Sequence, residues 1–329
     1  GGPRAGEAFG FAGSGIQPDP DNRFGSPRAY VLTTAGGANR HPPIGGTDGG
    51  TALNPLEVRE ILRQTLGVAL AARAQIRRPL DSHVEVTISV VDTNGVILGI
   101  VRTPDAPVFG TDVSLQKARS SMFLSSAAAP ADLAAAGQSA YVTAVQRFLS
   151  ANALGGAVAY SDRAIGNLAR PFYPDGVQGR RNGPLSLPIR SWSPFNTGLQ
   201  LDLVAGDLVR HLGFVRGLNA DTPAVCAGLP RLANGLQIFT GGVPIYRNFR
   251  LVGGSCGGVG VSGDGIDQDD MVAFLGLDRA GRRLGSGVGN APRSLRADRL
   301  APFGANLRYV SCPFKPFLGS DRQNVCQGL

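Results

Sequence analysis

A chain of 329 residues with 43% hydrophobic content has the material for one large domain or two ordinary ones, and reads as globular. No apolar run reaches the roughly 18 residues of a membrane span, and the opening GGPRAG lacks the charged start and apolar core of a signal peptide, so an exported protein would already have lost its signal. The net charge of +8 is almost wholly arginine, with Lys117 and Lys315 the only lysines; because no basic block concentrates it, nucleic-acid binding is not expected, and an acidic protein partner or anionic ligand accounts for it as well.

Residues 1–50, rich in Gly, Pro, Asp and Arg, read as an extended arm whose only strand former is Ala29–Thr34. From Asn54 to Arg78 the spacing predicts an amphipathic helix, with Asn54 as cap, Pro55 at the first position, Glu57 completing a capping box, and an apolar stripe through Val58, Ile61, Leu62 and Leu66. Val84, Val86, Ile88 and Val90 alternate with polar residues up to a turn at Asp92–Gly95, and an apolar run resumes through Val96–Val101. This predicts a hairpin in which Asn94-Gly95 supplies positive φ. TDVSLQKARSSMFLSSAA then reads as a helix capped by Asp112 or Ser114 and carrying Lys117.

Residues 127–237 differ in character. ADLAAAGQSAYVTAVQRFLSANAL reads as helical, and a long Gly/Pro-punctuated stretch with the only Trp, Trp192, follows. Such a stretch is either partner-binding or an insertion capping one sheet edge. Ile238–Leu277 has the order strand, turn at Arg247–Asn248, Gly-rich strand, and a helix whose start is offset by Asp264, Asp267, Asp269 and Asp270 as capping carboxylates. Glycines within a strand mark the close approach of another group. Residues 279–329 read as a wrapping tail.

Of the four cysteines, Cys312 and Cys326 bracket a tail that needs a staple, so a disulfide is expected there, and with it an oxidising, periplasmic or extracellular location. Cys226 and Cys256 are candidates for a second bridge, although spacing alone does not choose among the pairings. No CxxC or neighbouring His suggests zinc, and no metal site is expected. The histidines, His41, His83 and His211, read as surface or capping residues.

The hairpin VVDTNGVILGIVRTPDA, the helix DVSLQKARSS, GGVPI and GGVGVSGDGIDQDD, in that order, resemble the GlcG/HbpS-like family of haem-binding proteins, which includes the C-terminal domain of PduO-type corrinoid adenosyltransferases. The resemblance covers Asn54–Ser126 and Ile238–Leu277. It implies an α/β (α+β) domain over 51–278, with an antiparallel sheet of about five strands, helices packed on one side, and an insertion at about 127–237. It also implies oligomeric assembly and haem as cofactor. The family's helix histidine has no counterpart, since Asn54–Arg78 holds no His, Met or Cys, although Tyr is also able to hold haem iron.

On this resemblance a pocket lies where the Gly-rich strand meets the Lys117 helix. Arg102 and Lys117 face an anionic group such as a haem propionate or small carboxylate, and Asp92, Gly95, Gly241, Gly242, Pro244, Gly260 and Ser262 shape the site. The expected function is an exported binding protein for haem or a related small anionic ligand, with no catalysis of its own. The alternative is an accessory subunit that docks on a cytochrome or periplasmic oxidoreductase through arm, insertion and tail.

Overall fold

A computed structural model describes residues 12–223, 225, 227–248 and 257–329. In chain order the strands and helices are β1 (Ile16–Pro18), β2 (Tyr30–Leu32), α1 (Pro55–Ala71), β3 (Thr87–Val91), β4 (Ile97–Arg102), α2 (Gly110–Leu124), α3 (Ala129–Ala135), α4 (Ser139–Phe148), α5 (Asp162–Leu168), α6 (Leu199–Asp202), α7 (Ala205–Val215), β5 (Gly242–Arg247), β6 (Gly257–Ser262), α8 (Ile266–Leu284) and β7 (Val288–Asn290).

The helix starting at Asn54 forms as its local signals dictate. The Asn54 side chain accepts from the Leu56 and Glu57 N–H groups, and Glu57 Oε2 accepts from Asn54 N at 3.0 Å. It ends at Ala71, however, short of Arg78. Ala72 bridges to Phe317, Arg73 N donates to Pro316 O, and the tail thereby takes the backbone out of the helix. In the β3–β4 turn Gly95 alone takes a positive φ, of 76°; Asp92 Oδ1 accepts from Asn94 N and Val96 N, and a register shift between Val90 and Val91 absorbs the extra residue. The stretch from Ala131 that reads as helical is divided between α3 and α4, which are separated at Gly137 with φ 78°.

The described strands form a seven-stranded antiparallel sheet in the order β1-β2-β4-β3-β6-β5-β7. Seven strands replace the five expected, because three-residue segments on either side of the central block extend it: β1 and β2 at one edge and β7 at the other. The Gly-rich β6 is central, between β3 and β5.

Helices cover both faces, not one. Gly99 pairs with Val90, which pairs with Val259, and a Cβ on Gly99 would meet Leu62 and Val58 of α1. The adjacent row, Ser89 and Gly260, points the other way into α2: Ser89 Oγ lies 2.6 Å from Ser114 Oγ, and a Cβ on Gly260 would meet the Ser114 carbonyl. On the first face α1 and α8 bury Ile61, Leu62, Leu66, Met271 and Phe274 against Val86, Ile88, Val90, Val243 and Val261. Residues 127–237 do more than cap an edge. With the end of α2 they build a second hydrophobic core around Phe123, Leu133, Tyr160, Ile165, Leu168 and Leu236.

Cys312 and Cys326 are disulfide-bonded, as the tail's lack of periodicity predicts. The proposed Cys226–Cys256 bridge lies outside the described residues.

Candidate functional site

The glycines of β6 let α2 sit directly on the sheet backbone. A Cβ on Gly258 would run into the Ala118 carbonyl, so α2 packs here at backbone rather than side-chain distance. That proximity brings Lys117 to the end of β6, where its Nζ donates to Val261 O and to Asp269 Oδ2, each at 2.8 Å. Gly241, with φ 125°, leaves the space: a Cβ there would lie 3.0 Å from Lys117 Nζ and 2.9 Å from Asp269 Cβ. Gly242 clears the Lys117 carbonyl and the Asp162 carboxyl in the same way.

A second ion pair lies behind the first. Asp270 Oδ1 accepts from Gly241 N at 3.0 Å; its Oδ2 accepts from Arg163 Nε at 2.5 Å and from Ser311 N at 3.0 Å. Arg163 also reaches Asp267 at 2.6 Å. One aspartate thus ties together the insertion, the entry to β5, α8 and the tail. Burial pushes the Asp269 and Asp270 carboxyls up to about 6, while Lys117 and Arg163 respectively pull them back. Asp162 is pushed well above the usual range, chiefly by burial, while the Lys117 charge and the Gly242 N–H pull it back.

The aspartates at the start of α8 therefore act differently from the capping expected of them. Gly265 occupies the cap position without a side-chain bond; Asp269 and Asp270 turn inward to Lys117 and Arg163, and Asp264 bonds Gln75 N at 2.8 Å and lies 3.3 Å from Arg77 Nε. Likewise α2 begins at Gly110 without a side-chain cap, since Ser114 is spent on Ser89. Asp162 and Arg163 were not legible as site residues. The only local signal is the helix start at Ser161, whose Oγ accepts from Ala164 N, and the partners of Arg163, Asp267 and Asp270, lie 104 and 107 residues away.

Above the Lys117–Asp269 pair opens a cleft of about 520 Å³. Its walls are Phe109, just before α2, Val113 of α2, Phe195, Leu201 and Val204 of the insertion, and Phe239; its floor holds Lys117, Ser262, Asp264 and Asp269. Phe195, 86% exposed, and Phe109, 63% exposed, form an apolar mouth.

Of the residues expected at the site, Lys117 and Ser262 line this cleft, whereas Gly241, Gly242 and Gly260 lie behind it as spacers. Pro244 is within β5, paired with Gly258, and Asp92 and Gly95 are at the hairpin tip, where Asp92 bonds Thr47. Arg102 does not reach the cleft. It is fully buried, in register with Thr87, which pairs with Ser262. Its Nη2 donates to the Ala106 carbonyl, Nε and Nη1 have no partner, and burial lowers its pKa.

The cleft's donor set does not suit ligated haem. His, Met, Cys and Tyr are all missing from its described lining, and the Lys117 amine is committed to Asp269 and Val261. The histidines are elsewhere: His83 bridges to Arg73, His211 bonds Asp221 at 2.8 Å, and the His41 carbonyl accepts from Ile100 N. Among the described residues no group of three or more His, Cys, Asp or Glu could hold a metal ion, and no helix is long and apolar enough to cross a membrane.

No family model matches the chain, and no curated protein matches it. Among solved structures, the Klebsiella pneumoniae protein ORFY, of family-model DUF336, is similar at 18% identity over 69% of this chain and 88% of that one, with a TM-score of 0.33. The PduOC:haem complex is similar at 15% identity over 73% of this chain and 99% of that one, with a TM-score of 0.34. At such scores the likeness carries nothing further, and the cleft is read from its own residues.

Proposed function

We propose that this protein binds a small molecule with an apolar, flat body and a polar head, in the cleft between α2 and the insertion. The observation that carries this is the placing of a buried Lys117–Asp269 pair and Ser262 beneath an aromatic mouth. Apolar walls supply affinity and a few fixed polar groups orient the ligand. Lys117 uses two of its three N–H donors internally, which leaves the third for a ligand oxygen. Because Asp269 balances Lys117, the polar head need not carry charge.

A porphyrin is accommodated on this reading only as an apolar ring, without an iron ligand. Titration with haemin and with metal-free protoporphyrin IX, followed by fluorescence and absorbance, tests it. The two bind with affinities within about threefold of each other, and cleft-filling Leu201→Trp weakens both. Haemin binding more than about 100-fold tighter than protoporphyrin would restore an iron ligand and overturn this reading; no binding of either probe, or of the smaller anilinonaphthalene sulfonate, would remove the cleft as a site.

One observation favours assembly through the insertion as a second reading. Helix α7 buries none of its side chains, and Leu208, Leu212 and Val215 form an exposed stripe beside Val209 and Leu218. An apolar stripe of this kind is self-complementary across a twofold axis, and the occupant we assign it is a second copy of the chain. Sedimentation then shows a dimer or larger species that Leu212→Glu returns to monomer; a wild-type chain that stays monomeric rejects the assignment.

A further inference from the structure

The rim of the aromatic cleft exposes apolar side chains that the protein itself holds outward. Ile76, Phe109, Phe195, Phe239 and Ile266 line the opening, and each is more than a third exposed. The loops that supply the first three carry a further exposed apolar residue outside the lining: Leu80 at 74%, Val108 at 72% and Ile189 at 51%.

These loops are anchored. Arg77, between Ile76 and Leu80, donates to the Glu85 and Gly263 carbonyls at 3.2 and 3.3 Å and lies 3.3 Å from Asp264. The Val108 and Phe109 carbonyls accept from Thr111 N and Val113 N at the start of α2. Trp192, between Ile189 and Phe195, donates its indole N–H to the Ala169 carbonyl at 2.9 Å. Fixed apolar surface left in water costs about 25 cal/mol per Å², and gathered around one opening it marks a docking surface.

The carboxylates beside the rim are mostly matched within the protein. Asp264 and Asp105 face Arg77, Asp81 faces Arg73, Asp269 faces Lys117, Asp267 faces Arg163, and the charge of Asp112 acts on Arg119; Asp202, held by the Tyr141 hydroxyl, is the exception. Arg78 and Arg190, in the first and third loops, are exposed and meet no carboxylate among the described residues. The charge that the loops present outward is therefore positive.

We propose that this rim docks on an anionic lipid bilayer, with its apolar tips at the boundary of headgroups and acyl chains and with Arg78 and Arg190 on lipid phosphates. Apolar tips interleaved with arginines hold a folded domain at an interface without a spanning helix. A flat protein partner fits less well, because it would leave the cleft of about 520 Å³ empty beneath it, whereas fluid lipid fills such a space. The cleft opens inside the docked footprint, so a ligand with an apolar body and a polar head passes between bilayer and cleft without crossing water. That passage rests on the cleft reading above; the docking does not.

Flotation of the full chain with phosphatidylcholine vesicles, with and without about one-third phosphatidylglycerol, tests the proposal. Trp192, the chain's only tryptophan, gives a second readout, since brominated lipid quenches it on docking. The expected result is flotation with the anionic vesicles, weakened about tenfold or more by Leu80→Ser/Val108→Ser/Ile189→Ser and about tenfold by Arg78→Gln/Arg190→Gln or by omitting phosphatidylglycerol. These five residues are exposed and lie outside the cleft lining and the cores, so vesicle-free protoporphyrin binding and the melting midpoint stay at wild-type values. A failure of docking is thereby separable from a failure of the cleft. Wild type that does not float overturns the proposal. So does flotation that the triple serine variant leaves unchanged, which would reflect only the general attraction of a basic protein, and so does self-association that this variant abolishes with no flotation of wild type, which would assign the rim to a second copy.

Discussion

The two faces of the central sheet solve the packing problem differently. Against α1 and α8 the sheet presents Val and Ile, and the separation is filled by apolar side chains. Against α2 it presents Ser89, Gly258, Gly260 and Ser262, so the helix rests on backbone, and the charged residues Lys117, Asp162, Arg163, Asp269 and Asp270 are enclosed at its edge. The first face is tolerant because side chains are able to shift. The second is intolerant, since backbone atoms and paired charges have fixed positions, and this rigidity holds Lys117 under the cleft.

Gly258→Val attacks the intolerant face most directly. Its Cβ would be placed on the Ala118 carbonyl, and the expected outcome in urea unfolding is loss of the cooperative fold or a destabilisation of at least about 4 kcal/mol. Wild-type stability in this variant would mean that α2 does not rest on the backbone.

Lys117→Met follows, because it strands the buried Asp269 carboxylate, at a cost of about 3–5 kcal/mol in the same assay. Adding Asp269→Asn recovers a large part of that loss. A single variant within about 1 kcal/mol of wild type would show the pair to be dispensable.

The pH dependence is smaller and opposite to that of ordinary salt-bridged acids. Asp269 and Asp270 are raised from 3.8 to about 6, so between those values the native chain holds more protons than the unfolded one, and stability rises as pH falls through 6. Between pH 7.5 and 5 the gain is about 3 kcal/mol for the two groups together. Below that the trend reverses: at Glu57 and Glu60 burial raises the pKa, but the hydrogen bonds of Arg247 and Arg63 prevail and lower it, so this stabilisation disappears on protonation. A urea midpoint that falls between pH 7.5 and 5 would contradict the buried-pair account.

The smallest effect is reserved for the tolerant face. Gly99→Ala meets the Leu62 Cδ1 at 2.7 Å, the end of a flexible side chain, and costs about 1 kcal/mol by denaturant midpoint. A loss equal to that of Gly258→Val would erase the distinction between the faces.

What was legible at the level of sequence was local. The Asn54–Glu57 capping box, the alternation of β3, the apolar run of β4, the glycines of β6 and the Cys312–Cys326 staple, 14 residues apart, all involve neighbours, a short run or a short loop of the chain. The strand former expected at Ala29–Thr34 is β2, whereas β1 and β7 went unread because three residues are too few to show alternation. The acidic start of α8 was legible as a cluster but not in its role: Asp269 and Asp270 are helix-start residues by position and ion-pair partners by contact. Arg102 was expected to face a ligand, yet its register with Thr87 puts it inside the protein.

For this protein the amino-acid order by itself determined the central helices and strands, the requirement for close approach at Gly241, Gly242, Gly258 and Gly260, and the disulfide in the tail. Each follows from backbone conformation, side-chain period or a short closed loop. Only the tertiary structure decided that α2 lies opposite α1 and α8 and that Asp162 and Arg163 of the insertion join Lys117 and Asp270. Those outcomes depend on pairings between residues far apart in the chain, 107 residues for Arg163 and Asp270, for which charge and burial set the energy while no local pattern records the partner.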